Sequence, residues 1–281
     1  MTNTLTRGAT GRLISLDVFR GLTIAGMVLV NNPGTWGHIY WPLAHAEWHG
    51  WTPTDLIFPF FLFIVGVAIP LAFGRRVDAG GTQRDLYLKV IKRTLIIFAL
   101  GLFLNGFPYF SLSTIRIPGV LQRIAVCYLL ASIIFLKTRV RTQIVIVAAL
   151  LLVYWLLMAR LSAPGFATGD LSKEGSVASF IDRVVLGSHI WSQGKVYDPE
   201  GLLSTIPALA TTLLGVLTGQ WLRTTKSNYE KVAGMFVAGG CGLVIGWPGI
   251  LSFPSTSRYG RVRMSYSRAV WPCSSWRFVT G

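Results

Sequence analysis

Three of the chain's four histidines, His38, His45 and His49, fall in one short stretch beside the carboxylates Glu47 and Asp55. An imidazole changes charge near neutral pH, so histidines next to carboxylates suit proton transfer or acyl acceptance. The stretch is also rich in tryptophan, and Trp and His gather at membrane surfaces because their rings are wet on one edge and apolar on the other. Chemistry and interfacial anchoring both remain open readings of this loop. It separates a hydrophobic run ending at Asn31-Asn32-Pro33-Gly34 from one that begins at Asp55.

Two other polar groups interrupt apolar sequence. Asp17 and Arg20 stand at i and i+3, on one face of a helix, where they can pair. They are candidates for a buried cavity, because charges in a membrane face a bundle interior or water; equally, Arg20 can snorkel to the interface. Arg116-Ile117-Pro118-Gly119-Val120-Leu121-Gln122-Arg123 is the second. Pro118 can open a helix, which carries Gln122 and Arg123 into an apolar segment. Two arginines aimed into a cavity suit a phosphate-bearing ligand, and two at a helix start also serve as interfacial anchors. Asp55 opens a hydrophobic run, where a carboxylate caps a helix and favours its positive end. That role is compatible with a second one as partner to the His45 imidazole.

The elements that must position these groups follow from composition. Of 281 residues, 52% are hydrophobic and 13% charged, with a mean hydropathy of +0.54. That is too little polar surface for a water-soluble globule of this size, so the chain is expected to be an all-α, polytopic membrane bundle with the lipid bilayer as its main partner. Runs of roughly 20 apolar residues, enough to cross a bilayer, occur at 13–31, 55–73, 89–107, 118–136, 143–160, 203–222 and 232–251. About seven spans are expected. They must be helices, because lipid leaves backbone groups no outside partner and the alternation of a membrane barrel is missing.

The net charge of +15 does not indicate nucleic acid, since Lys and Arg sit in short clusters between apolar runs. Arg7 and Arg12 precede the first span. Arg75, Arg76, Arg84, Lys89, Lys92 and Arg93 surround the second connection, Lys137, Arg139 and Arg141 fill the fourth, and Arg223, Lys226 and Lys231 fill the sixth. The odd-numbered connections are poorer in basic residues, which predicts a cytoplasmic N-terminus and an external histidine loop. The fifth connection, 161–201, is long enough to be functional and ends in Tyr197-Asp198-Pro199-Glu200-Gly201. Cys127, Cys241 and Cys273 are scattered, which predicts neither a disulfide framework nor a metal site. The polar N-terminus shows no cleavage site after the first run, so that run is expected to be a permanent span rather than a signal peptide.

Several separated motifs, in one order through most of residues 13–223, resemble the heparan-alpha-glucosaminide N-acetyltransferase family. They are Ser15-Leu16-Asp17-Val18-Phe19-Arg20-Gly21, Val30-Asn31, His45-Ala46 with Trp48, Gly50, Thr52, Asp55-Leu56 and Phe58-Pro59, then the Arg116–Arg123 segment and Tyr197–Gly201. The resemblance implies a polytopic enzyme moving acetyl from acetyl-CoA to the amine of an amino sugar such as a terminal glucosamine. It makes His45 the catalytic histidine, as general base or acyl acceptor, Asp55 its carboxylate partner and Asn31 a nearby polar residue able to meet a developing oxyanion. Asp17, Arg20, Arg116, Gln122, Arg123, Asp198 and Glu200 stand as binding candidates for acceptor or donor, with no metal required. His49 departs from the family, where Asn is common at that position, and is either an added proton carrier or a neutral replacement. The implied location is the inner membrane of a bacterium, and a homo-oligomer is compatible with it.

Three regions are expected: a cytoplasmic tail, 1–12; an incomplete acyltransferase-like membrane domain, 13–251; and an aberrant tail, 252–281. In the tail the apolar pattern gives way to Ser- and Arg-rich sequence. Read one base earlier, Ser252 to Arg268 can encode the segment with which family members open their next span, so the tail is expected to be out of frame and the chain truncated, which puts its activity in question. The alternative function is a transporter of an N-acetylglucosamine-type sugar, for which Asp17 and Arg20 would suit a translocation path. A purely structural subunit would account for the topology but not for the histidine cluster.

Overall fold

A computed structural model of the chain describes residues 13–35, 37–46, 48–50, 52–78, 83–191, 194 and 196–252, apart from the side chains of 75–78, 245 and 247–252. The expected tails, 1–12 and the part from 253 onward, and the Glu47 carboxylate lie outside the described residues. Among the described residues the fold is all helical. Its helices are α1 (Ile14–Asn31), α2 (Ile57–Asp78), α3 (Gln83–Gly106), α4 (Val120–Lys137), α5 (Val140–Arg160), α6 (Val177–Leu186), α7 (Thr205–Leu222) and α8 (Asn228–Ser252). Two single 3-10 turns, Trp41–Leu43 and Pro53–Leu56, shape the connection between α1 and α2.

All seven expected spans fall on helices. Five of these, α1, α2 with its preceding turn, α4, α5 and α7, are long and apolar enough to cross a membrane. α3 holds Lys89, Lys92 and Arg93 near its middle, so its charge density sets it apart from those five. α8 belongs to a second compact unit, Lys226–Gly281, separate from Met1–Thr225. α6 is the helix that the sequence reading left inside a connection. Its signals are local: the Ser176 hydroxyl caps the Ser179 N–H at 3.3 Å, and Gly187 ends the helix with φ +53°.

The centre of the first unit is the pairing of α2 with α7. The two backbones meet at glycines: a side chain on Gly66 would collide with the Thr212 carbonyl, and one on Gly215 with the Phe63 carbonyl. Gly215 and Gly219 form a small-xxx-small repeat, a pattern that lets membrane helices approach where hydrophobic burial alone gives no drive. Leu62, Ile69, Leu213 and Val216 fill the seam around them and are almost wholly buried. α4 contributes Ile124, Cys127, Tyr128 and Ala131 to the same core. A polar tie fastens α5 to α7, with Gln220 Nε2 donating to Gln143 Oε1 at 2.5 Å and Gln143 Nε2 donating to the Thr138 carbonyl at 3.1 Å. Such a bond inside a membrane bundle contributes about 0.6–2 kcal/mol.

Candidate functional site

His45 and Asp55 come together as expected. The turn Pro53–Leu56 is a capping box in which the Asp55 side chain reaches back to the Thr52 backbone. Asp55 Oδ2 thereby accepts from the Thr52 N–H at 2.9 Å and the Ala46 N–H at 3.1 Å, with the Thr52 hydroxyl at 3.0 Å. The other oxygen, Oδ1, lies 2.7 Å from His45 Nδ1. A carboxylate held by this many donors keeps its charge and its orientation. In the tautomer that donates from Nδ1 to this carboxylate, the Nε2 lone pair is left outside the pair. The His45 side chain is 61% exposed and that of Asp55 28%, so a ligand can reach the imidazole while its anchor stays half-buried.

The other members of the histidine loop do not join this pair. His38 and His49 are exposed, and His49 touches the edge of the Trp48 ring at 6.5 Å between centroids. Asn31 directs its amide N–H to the Met27 carbonyl of its own helix, 2.9 Å away, rather than to His45 or Asp55. Asp17 and Arg20 do pair, at 3.4 Å, with both side chains substantially exposed. They lie near the opposite end of α1 from Asn31, roughly 15–20 Å along the helix axis, so they form a feature separate from the His45 pair.

A second polar assembly joins the third and fifth connections. Arg116 Nε donates to Asp198 Oδ2 at 2.9 Å, and its Nη2 donates to Asp198 Oδ1 at 2.5 Å and to Glu200. Asp198 is fully buried and also accepts the Trp191 and Glu200 backbone N–H groups at 2.9 Å. Burial alone would weaken the hold of the Arg116 guanidinium on its proton. The Asp198 hydrogen bonds and the nearby carboxylate charges outweigh this and raise its pKa. Two carboxylates share the Arg116 guanidinium, and the Arg123 guanidinium lies within electrostatic reach of both. Arg123 enters from α4, where its Nη2 reaches the Gly201 carbonyl at 3.0 Å and the Ser204 hydroxyl, while its buried Nε has no hydrogen-bond partner. Gln122 is buried beside it, and its Nε2 is likewise unpartnered.

Residues that sequence reasoning gave no site role connect the two assemblies. Trp48 Nε1 donates to the Leu171 carbonyl at 2.7 Å, and the Trp48 ring meets Tyr197 edge-on at 4.7 Å. Tyr197 in turn contacts Trp191 at 5.9 Å, and Arg116 lies over the Trp191 ring at 5.9 Å. The fourth histidine, His189, has its Nδ1 2.7 Å from the Ile115 carbonyl, while its own carbonyl accepts the Ile117 N–H. Asn105 donates to the carbonyls of Arg116 and Pro118 at 2.8 and 3.1 Å. These contacts gather the first, third and fifth connections at one end of the bundle. The available sequence signals were the aromatic residues within Trp48 and Tyr197 motifs, and one asparagine closing an apolar run. Among the described residues, no three His, Cys, Asp or Glu side chains converge on a possible metal site.

Residues 12–241 match the family model described as heparan-alpha-glucosaminide N-acetyltransferase, catalytic. Two curated relatives are similar. The heparan-alpha-glucosaminide N-acetyltransferase of Mus musculus is 30% identical over 282 residues, covering 84% of this chain and 42% of the relative. That of Homo sapiens is 30% identical over 277 residues, covering 82% and 41%. The chain thus spans about two fifths of the length of these relatives.

Proposed function

Since the chain belongs to the heparan-alpha-glucosaminide N-acetyltransferase catalytic family, we propose that it carries an acetyl-transfer centre built on His45. The donor is acetyl-CoA and the acceptor is the amine of an amino sugar such as a terminal glucosamine. The observation that carries this reading is the imidazole held at 2.7 Å by a carboxylate whose other oxygen is occupied by Thr52 and Ala46. The bound ammonium first gives one proton to solvent; in direct transfer the neutral amine nitrogen then bonds to the thioester carbonyl carbon while Nε2 takes its second proton. Collapse of the tetrahedral adduct breaks the C–S bond, and the proton passes to the departing thiolate. In the two-step variant, Nε2 itself forms the bond to the acyl carbon and expels the thiolate; the neutral amine then attacks that carbon, the bond to Nε2 breaks, and the amine proton leaves on Nε2 and passes to the thiolate. Asp55 stabilises the cationic imidazole in both. Asn31, once its amide swings away from Met27, is the donor for the oxyanion.

The Asp198 and Glu200 carboxylates suit the amine of a sugar better than a phosphate, so we assign this assembly to the acceptor. Arg123, with a spare Nε–H, and Gln122 are left for the donor. Asp17 and Arg20 retain a separate role in binding at the far end of α1. The basic residues of the even-numbered connections support an N-terminus in the cytoplasm. Incubating membranes that contain the chain with labelled acetyl-CoA and glucosamine tests the function. Labelled N-acetylglucosamine is the expected product, and its absence at normal levels of folded protein would refute the assignment.

A further inference from the structure

Asp182 lies on α6, takes no part in the pairs above and is 3% exposed. Its carboxylate faces the turn that carries the acidic assembly. Oδ1 accepts the Leu202 N–H at 2.9 Å, and the Asp198 backbone N–H is near enough to favour the charged carboxylate. Gly201 passes so close that a side chain there would collide with the Asp182 oxygens. One carboxylate therefore holds the Leu202 end of the turn 198–202 and leaves no room for a Cβ at Gly201. That turn presents Glu200 and Asp198 to Arg116, and it begins one residue after Tyr197, the partner of Trp48.

We infer that Asp182 is a positioning residue for the acceptor: by fixing the turn 198–202 it holds the Glu200 carboxylate where the ammonium of the amino sugar binds. This rests on the acceptor assignment made above. A buried carboxylate is costly to maintain, and this one is held against a pKa raised chiefly by burial and further by the charge of Asp198. A residue serving packing alone would do as well with an apolar side chain of similar size.

The test compares full-length wild type, Asp182→Asn and Asp182→Ala in lipid nanodiscs, by steady-state acetylation of glucosamine and by amide hydrogen exchange. Asp182→Ala should raise the KM for glucosamine about tenfold and leave kcat within a few-fold. Asp182→Asn, which keeps one acceptor oxygen, should restore part of that loss. Residues 198–204 should exchange faster in Asp182→Ala, and those of the His45 turn should not. An unchanged acceptor KM, or a kcat that falls at constant KM as the folded fraction falls, would overturn the role. If wild type forms no product, the functional assignment fails on its own. The exchange measurement then still decides on Asp182: protection of 198–204 unaltered by Asp182→Ala would refute it, and selective loss would support it.

Discussion

The Trp48 indole meets the Tyr197 ring edge-on at 4.7 Å, while its N–H donates to the Leu171 carbonyl at 2.7 Å. Residues 149 positions apart are thereby joined, and with them the loop that bears His45 and the turn that bears Glu200. A base and an acceptor site on different connections can cooperate only if such a contact holds their separation.

Replacing Trp48 should separate these halves. Trp48→Phe keeps a ring against Tyr197 and loses the hydrogen bond, a cost of about 1 kcal/mol. Trp48→Ala also loses the aromatic contact, about 0.5–1.5 kcal/mol more. The expected order of kcat/KM for acetylation is wild type, then Phe, then Ala, with the overall melting temperature little changed. Equal activity of all three would show that the contact does not align the site.

Asp55→Asn can keep its one amide oxygen on the Thr52 and Ala46 N–H groups, but it then turns an NH2 donor to His45 Nδ1 and removes the charge that stabilises a cationic His45. Acetyl transfer should fall on the order of 10²–10⁴-fold, while stability changes little because the amide oxygen still caps the turn. Steady-state rates and thermal unfolding measured on the same preparation separate the two effects. Full activity would reduce Asp55 to a helix cap.

Asp182 makes stability fall as pH rises. Its folded pKa is raised above the ordinary 3.8, chiefly by burial, with the Asp198 charge adding and the Leu202 N–H and Arg123 opposing. The native state therefore holds the Asp182 proton more tightly than the unfolded chain does. Its contribution is fully present below the unfolded pKa and is lost as pH climbs through the folded one. Asp182→Asn should remove this part of the pH dependence of melting. A slope unchanged by that substitution would contradict it.

Gly215→Leu should prevent α2 and α7 from meeting, because its side chain would strike the Phe63 carbonyl. A loss of about 1–3 kcal/mol or more is expected, visible as a lower unfolding temperature in detergent. Gly239→Ala on α8, where a Cβ would meet nothing within 4 Å, is the control expected to be near neutral.

The membrane helices were legible in the sequence because apolar runs of membrane length are a local signal, whereas His45 was singled out from three loop histidines, with Asp55 as its partner, through the family resemblance. α6 was not legible, since a ten-residue amphipathic helix gives only three turns of signal inside a polar connection. The partners of Arg116 were hidden for a different reason. Asp198 and Glu200 lie more than 80 residues away, and sequence alone could name all three as binding candidates without showing that both carboxylates bind the one guanidinium. Asn31 illustrates the reverse case, where a motif residue is present but its amide bonds within its own helix.

The account stands or falls on the His45 imidazole. Membranes with equal amounts of folded wild type and His45→Ala should be incubated with labelled acetyl-CoA and glucosamine, and the acetylated sugar counted. The account predicts product from wild type and none above background from His45→Ala; acetylation retained by the variant would contradict it.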